Sequence, residues 1–252
     1  MGGHSHWSQV KRQKGVSDAK RGQLFTKLGR EIMIAAREGG GDPEMNARLR
    51  LVLAKARESN MPADTVERAI KRGTGQLEDA AQLIETTFEG YGPGGVAIMV
   101  DVVTDNRNRT VSSLRTTFSR GGGSLGESGC VAWQFESKGL ILIEAADSDP
   151  EEIAPLAIAA GAEDVKVEEQ GVEVHPAPES LEKVRSSLEE MGMAVASAEL
   201  SMIPKSTIGL GDKQAVQVLK LLDALEELDD VQRVCSNGDF PDEVLLEYAS
   251  RS

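Results

Sequence analysis

Near residue 80 the hydrophobic period of the chain changes, and no other feature restricts its possible folds as much. From Asp18 to about Arg72 apolar residues recur at helical spacing, whereas Leu83–Phe88 and Val96–Val103 read as short strands. A helical head therefore precedes an α+β body, with Gln76–Gln82 as a linker. At 252 residues, 40% of them hydrophobic, the chain is long enough for two or three units with real cores.

In the head, residues 1–17 hold Lys11, Arg12 and Lys14 among glycines and polar groups, with Trp7, Val10 and Val16 as the sizeable apolar side chains. Such a stretch cannot bury enough to order itself and is expected to be a mobile basic arm. A helix is expected over 18–38, stopped by Gly39-Gly40-Gly41, with Leu24, Leu28, Ile32 and Ala35 on one side. Arg30 and Arg37 fall nearly opposite that stripe, and Lys20 and Lys27 on its flank. Asp42-Pro43-Glu44 offers an N-cap for a second helix over about 45–58, and a third follows Asn60-Met61-Pro62 and ends at Gly73.

In the body, a helix over about 106–120, with Val111, Leu114 and Phe118 inward, precedes a strand at Cys130–Phe135. Then come strand 139–144, helix 149–160 (kinked or starting late at Pro155), strand 164–169, a Gln170-Gly171 turn, strand 172–175, helix 179–191 and strand 194–203. That order is the β-α-β-β-α-β ferredoxin-like unit. A helix over 213–228, capped by Asp212, and a strand at Val231–Cys235 still need a sheet to pack on. The expected architecture is α+β: a helical domain at 18–75, a discontinuous α+β domain from 76–135 and 206–252, and an inserted ferredoxin-like domain at 136–205.

The net charge of −13 is unevenly spread: residues 1–75 carry +7, residues 76–133 carry −3 and residues 134–252 carry −17. A basic head on an acidic body reads as a molecule with an oriented partner, and the head as a binder of nucleic-acid phosphates. Aromatics are scarce, which argues against base recognition by a stacking sheet. Trp7, beside Lys11, Arg12 and Lys14, is open to two readings: stacking on or wedging between bases, or docking onto the head.

Other motifs point away from catalysis. Gly90-Tyr91-Gly92-Pro93-Gly94-Gly95 fits G-x-G-x-x-G, but a strand follows it where a dinucleotide site needs a helix, so it reads as a hairpin. Gly121–Gly126 lacks the Gly-Lys-Ser/Thr ending of a phosphate loop. No nucleophile–base–acid set is apparent, and His175 reads as structural. The amino-terminal Gly2-Gly3-His4 is a generic chelate for Cu(II) once Met1 is removed, and is not taken as a site. Arg107 and Arg109 open a helix between Asp105-Asn106 and Thr110, where the dipole disfavours cations. They either bind an anion there or pair with Asp101 or Asp105. Cys130 and Cys235 form no Cys-x-x-Cys pair, and no apolar run approaches membrane length. A non-catalytic cytoplasmic protein is expected, without metal, cofactor, membrane contact or small-molecule substrate.

Gly3-His4-Ser5-His6-Trp7, Gly39–Pro43, Asn60-Met61-Pro62, Glu89–Gly95 and Asp105–Thr110 together resemble the YebC/PmpR family over essentially the whole chain. His6 departs from the Lys that is more usual there. The resemblance implies a helical N-terminal domain with two α+β domains. It also implies one of two roles: a DNA-binding transcriptional regulator, or a translation factor acting on the ribosome during difficult, proline-rich synthesis. The family includes the mitochondrial translational activator of cytochrome c oxidase subunit I. The leading expectation is a nucleic-acid-binding regulator whose Trp7, Lys11, Arg12, Lys14, Lys20, Arg21, Lys27 and Arg30 contact DNA or ribosomal RNA. A third reading, a metabolite sensor, places its ligand near Arg107 and Arg109.

Overall fold

The computed structural model describes residues 18–77, 83–144, 150–168 and 171–251. The arm at 1–17, most of the linker and Gln170 of the expected turn lie outside these residues.

The head is built from α1 (Asp18–Gly39), α2 (Ala47–Glu58) and α3 (Ala63–Gly73). Its core is the apolar stripe read from the sequence: Leu28, Ile32 and Ala35 of α1 against Leu49, Val52, Leu53 and Ala56 of α2, closed by Met61 and Ala69. The cap of α2 differs from expectation. Asn46 supplies it, accepting from the Leu49 N–H at 3.0 Å, and its amide also donates to the Ala35 and Gly40 carbonyls. Asp42 instead caps a turn, accepting from Glu44 N–H at 2.9 Å. The face of α1 opposite the head core is not solvated either: Ile34 is buried against Leu83 and Val103 of the body.

Among the described residues the body has two four-stranded sheets and a short parallel pair. β1 (Ile84–Tyr91) and β2 (Ala97–Thr104) form an antiparallel hairpin from Ile84↔Thr104 to Tyr91↔Ala97. Gly94 and Gly95 take the positive φ its turn requires (74° and 79°). The glycine motif is a turn between strands. α4 (Arg107–Arg120) and β3 (Ser124–Leu125) follow, with Asn106 capping α4 by accepting from Arg109 N–H at 3.1 Å.

The second sheet holds β4 (Phe135–Glu144), β5 (Asp164–Glu168), β6 (Gly171–His175) and β7 (Val195–Pro204), with α5 (Pro150–Ala159) and α6 (Leu181–Glu190) between them. Its order, β5-β6-β4-β7, is that of a ferredoxin-like unit. α5 runs through Pro155 without a break. The strand expected at Cys130–Phe135 is absent: a 3₁₀ turn covers Ala132–Gln134 and β4 starts at Phe135. The buried Glu89 carboxylate is the cause. It accepts from the N–H groups of Gly129, Val131 and Ala132 (2.6, 2.7 and 2.8 Å), taking that backbone out of strand pairing.

After β8 (Ile208–Gly209) come α7 (Asp212–Glu226), β9 (Val231–Ser236), β10 (Gly238–Asp239) and α8 (Asp242–Arg251). β9 joins the first sheet beside β2, giving the order β3-β1-β2-β9 across the whole intervening second sheet. Gly211, not Asp212, is the N-cap of α7, and Asp212 lies in the first turn, where its charge still suits the dipole. Leu114 and Phe118 of α4, Leu219 and Leu222 of α7, and Leu245 of α8 cover one face of the first sheet. Its other face receives Met202 of β7 against Ala97, Met99 and Cys235. No described helix is long and apolar enough to cross a membrane.

Candidate nucleic-acid interface

The basic side chains of the head point two ways. Gln23, Lys27 and Arg30, spaced i, i+4, i+7 on α1, face the body, where the carbonyls at the end of α7 lack helical partners. Gln23 donates to the Glu227 carbonyl at 3.4 Å, Lys27 to that of Glu226 and Arg30 to that of Asp229. These donors sit at the negative pole of the α7 dipole. Arg30 also reaches Asp230 Oδ1 at 2.9 Å.

Asp230 is the centre of this joint. Its Oδ2 accepts from Thr110 Oγ1 at 2.7 Å and Thr104 Oγ1 at 3.2 Å. Arg109 approaches both of its oxygens (3.2 and 3.1 Å) while holding Asp105 at 2.7 Å. Burial opposes ionisation of Asp230, but the Thr110 hydroxyl, Arg109 and Arg30 outweigh it and hold its pKa below the usual value. Of the two sequence readings of Arg109, pairing with Asp105 is the observed one, and Asp230 is a second partner the sequence did not reveal. Arg107 is exposed and lies over the Phe88 ring, 5.9 Å from its centroid.

Further ion pairs join the units. Arg48 binds Glu85 of β1 at 2.6 Å and Glu38 at 2.7 Å, and Lys55 of α2 pairs with Glu199 of β7. Arg233 of β9 lies 3.6 Å from the same Glu199. Between head and sheets runs a cleft of about 1740 Å³, whose described lining carries thirteen acidic and eight basic side chains. The acidic excess of that lining repels a polyanion.

The outward direction differs. Arg57, Arg68 and Arg72 are exposed and form no ion pair among the described residues, while Lys71 beside them is held by Glu67 at 2.5 Å. Arg68 and Arg72 share one ridge of α3, away from Val66, Ala69 and Ile70, which face the core. Arg21 is exposed on α1. Trp7, Lys11, Arg12 and Lys14, and the side chain of Lys20, lie outside the described residues. The sequence reading nominated Lys27 and Arg30, which the structure places in the joint, and passed over Arg57, Arg68 and Arg72. The α3 period alone sets Arg68 and Arg72 off its apolar stripe.

Comparison with known proteins identifies relatives of the whole chain. A family model described as the TACO1/YebC protein N-terminal domain matches residues 5–76, and one for the TACO1/YebC second and third domain matches residues 83–238. A protein of Dehalococcoides mccartyi strain CBDB1, named a probable transcriptional regulatory protein, is 56% identical over 252 residues, all of both chains. One of Moorella thermoacetica with the same name is 54% identical over 96% of each chain. The crystal structure of a conserved hypothetical protein from Aquifex aeolicus superposes with a TM-score of 0.84 at 48% identity, covering 90% of this chain and 94% of that one. With the helical head, the paired sheets and the joint between them all falling inside these matches, the chain belongs to the TACO1/YebC family.

Proposed function

We propose that this chain is a non-catalytic regulator that grips nucleic-acid phosphates with its head, in keeping with the transcriptional role in its relatives' names. The carrying observation is the outward arginine set Arg57, Arg68 and Arg72, exposed and without ion pairs among the described residues, on a head that carries +7 in a chain of −13. The basic arm, which ends one residue before α1, adds Lys11, Arg12 and Lys14 to the same unit. Arginines aimed at phosphates fix position and supply affinity without reading sequence.

A second reading, RNA within the ribosome as the partner, is favoured by the −17 carried by residues 134–252. Long duplex DNA repels such a body, whereas a ribosome also offers basic proteins. The test is fluorescence anisotropy of the full chain against labelled duplex DNA, and against labelled ribosomal RNA, at about 0.15 M salt. Arg57→Glu/Arg68→Glu/Arg72→Glu is expected to weaken binding to every sequence alike and to make the salt slope shallower by about three. Unchanged affinity removes the head from the interface. Ribosome binding that survives excess duplex DNA selects the second reading.

A further inference from the structure

Helix α4 carries four arginines, six hydroxyl side chains and no acid in its 14 residues, within a chain of net charge −13. A helix that merely faces water usually mixes both signs, with i,i+4 pairs. Thr110, Leu114 and Phe118 of α4 are buried, and Asn108, Ser112, Arg115, Thr116, Ser119 and Arg120 are exposed. Arg115 and Arg120 flank this exposed face and form no ion pair among the described residues. Ser112 and Ser119 lie between them; serine on a solvated helix face costs a few tenths of a kcal/mol relative to alanine and here contributes nothing to packing. Thr116 already donates to the Ser112 carbonyl at 2.9 Å, which leaves its oxygen as an acceptor.

The position of the helix suits a polyanion. α4 packs on the face of the first sheet opposite the one that receives Met202, so the ferredoxin-like unit lies behind the sheet. Its N-terminal end is tied to the head through Arg109, Asp230 and Arg30, so the units that carry the two basic surfaces are joined at that point. At 1.5 Å per residue the helix is about 21 Å long, the length of about six nucleotide steps along one strand of a duplex.

We infer that the exposed face of α4 is a second phosphate-backbone contact, in which Arg115 and Arg120 neutralise phosphates and Ser112 and Ser119 hydrogen-bond their oxygens. This rests on the nucleic-acid reading of the head and extends the footprint onto the body. The test uses the full chain, with a labelled 30-base-pair duplex DNA and a labelled stem-loop RNA as probes, in anisotropy titrations across a salt series. Arg115→Glu/Arg120→Glu is measured beside the wild type and beside the Arg57/Arg68/Arg72 triple reversal, with thermal melts of each. Arg115→Gln/Arg120→Gln provides the same test without added negative charge.

The expected result is an unchanged melt, affinity reduced about tenfold or more, and a salt slope shallower by about two. An effect on the RNA probe alone assigns the face to RNA, and an equal effect on both probes assigns it to phosphates in general. Wild-type affinity and slope in both double variants, with binding lost in the triple reversal, overturns the α4 contact and leaves the head reading standing. A wild-type chain that binds neither probe overturns both.

Discussion

Asp230 and Glu89 are two buried carboxylates that tie together parts of the chain far apart in sequence. Asp230 joins α1 and α4 to the start of β9 through Arg30, Arg109 and Thr110, and losing it leaves two arginines facing one another. Asp230→Ala is expected to cost about 3–5 kcal/mol in denaturant unfolding, as for a broken buried pair. Asp230→Asn keeps the shape and is expected to cost about 1.5–3 kcal/mol at pH 7. Because the folded pKa is depressed, the charge contributes its full stability above the unfolded value of about 3.9 and loses it as pH falls through the folded value. Thermal melts of wild type and Asp230→Asn should therefore differ at pH 7 and pH 5 and converge as pH drops below about 4. A constant difference would assign the effect to packing instead. For Glu89, burial again opposes the charge, and the Gly129, Val131 and Ala132 N–H groups lower its pKa. Glu89→Gln is expected to cost about 1–3 kcal/mol, read by Trp133 fluorescence in a Trp7→Phe background, since the indole bonds the Cys130 carbonyl within the same loop. That Asp105 or Asn106 can cap α4 was legible from their place before a helix, and Asn106 is the one that does. Asp230 was not, because its partner Arg109 is 121 positions away. Both cysteines are free, as their spacing suggests, and burial pushes the Cys235 thiol up to about 11.

Elements with a strong local period were legible, and those set by distant partners were not. The head stripe and the ferredoxin-like order followed from spacing alone, because each buries one apolar face against near neighbours in sequence. The strand expected at Cys130–Phe135 does not form, because Glu89, some 40 positions earlier, claims the loop's N–H groups. α8 went unread; Val244 and Leu245 are buried in the core shared with α7, and three acids dilute the apolar pattern. Gly73 reads as a helix stop, yet it closes α3 where that helix touches α1. A Cβ there would lie 2.4 Å from the Met33 carbonyl oxygen and 2.8 Å from Ala36 Cβ. Gly73→Ala is expected to cost about 1–3 kcal/mol by overpacking, and Gly73→Val more, in urea unfolding. Stabilisation by either would show that α1 and α3 separate more readily than their packing implies.

At the scale of the whole molecule, the charge segregation read along the sequence becomes a division of labour among faces. Lys27, Arg30, Arg48 and Lys55 spend their charge on the joints between units, the cleft those joints enclose is acidic, and Arg57, Arg68 and Arg72 remain turned outward. Sequence alone located the basic unit but could not sort its side chains, because the sorting depends on which face of each helix the body covers. The most direct test is the dependence of binding to duplex DNA and to ribosomal RNA on salt. If about five phosphates are neutralised, log K should fall against log salt with a slope of about −4 to −5 on duplex DNA, and somewhat less on single strands. A flat response on both, with binding intact, would contradict a phosphate-gripping head.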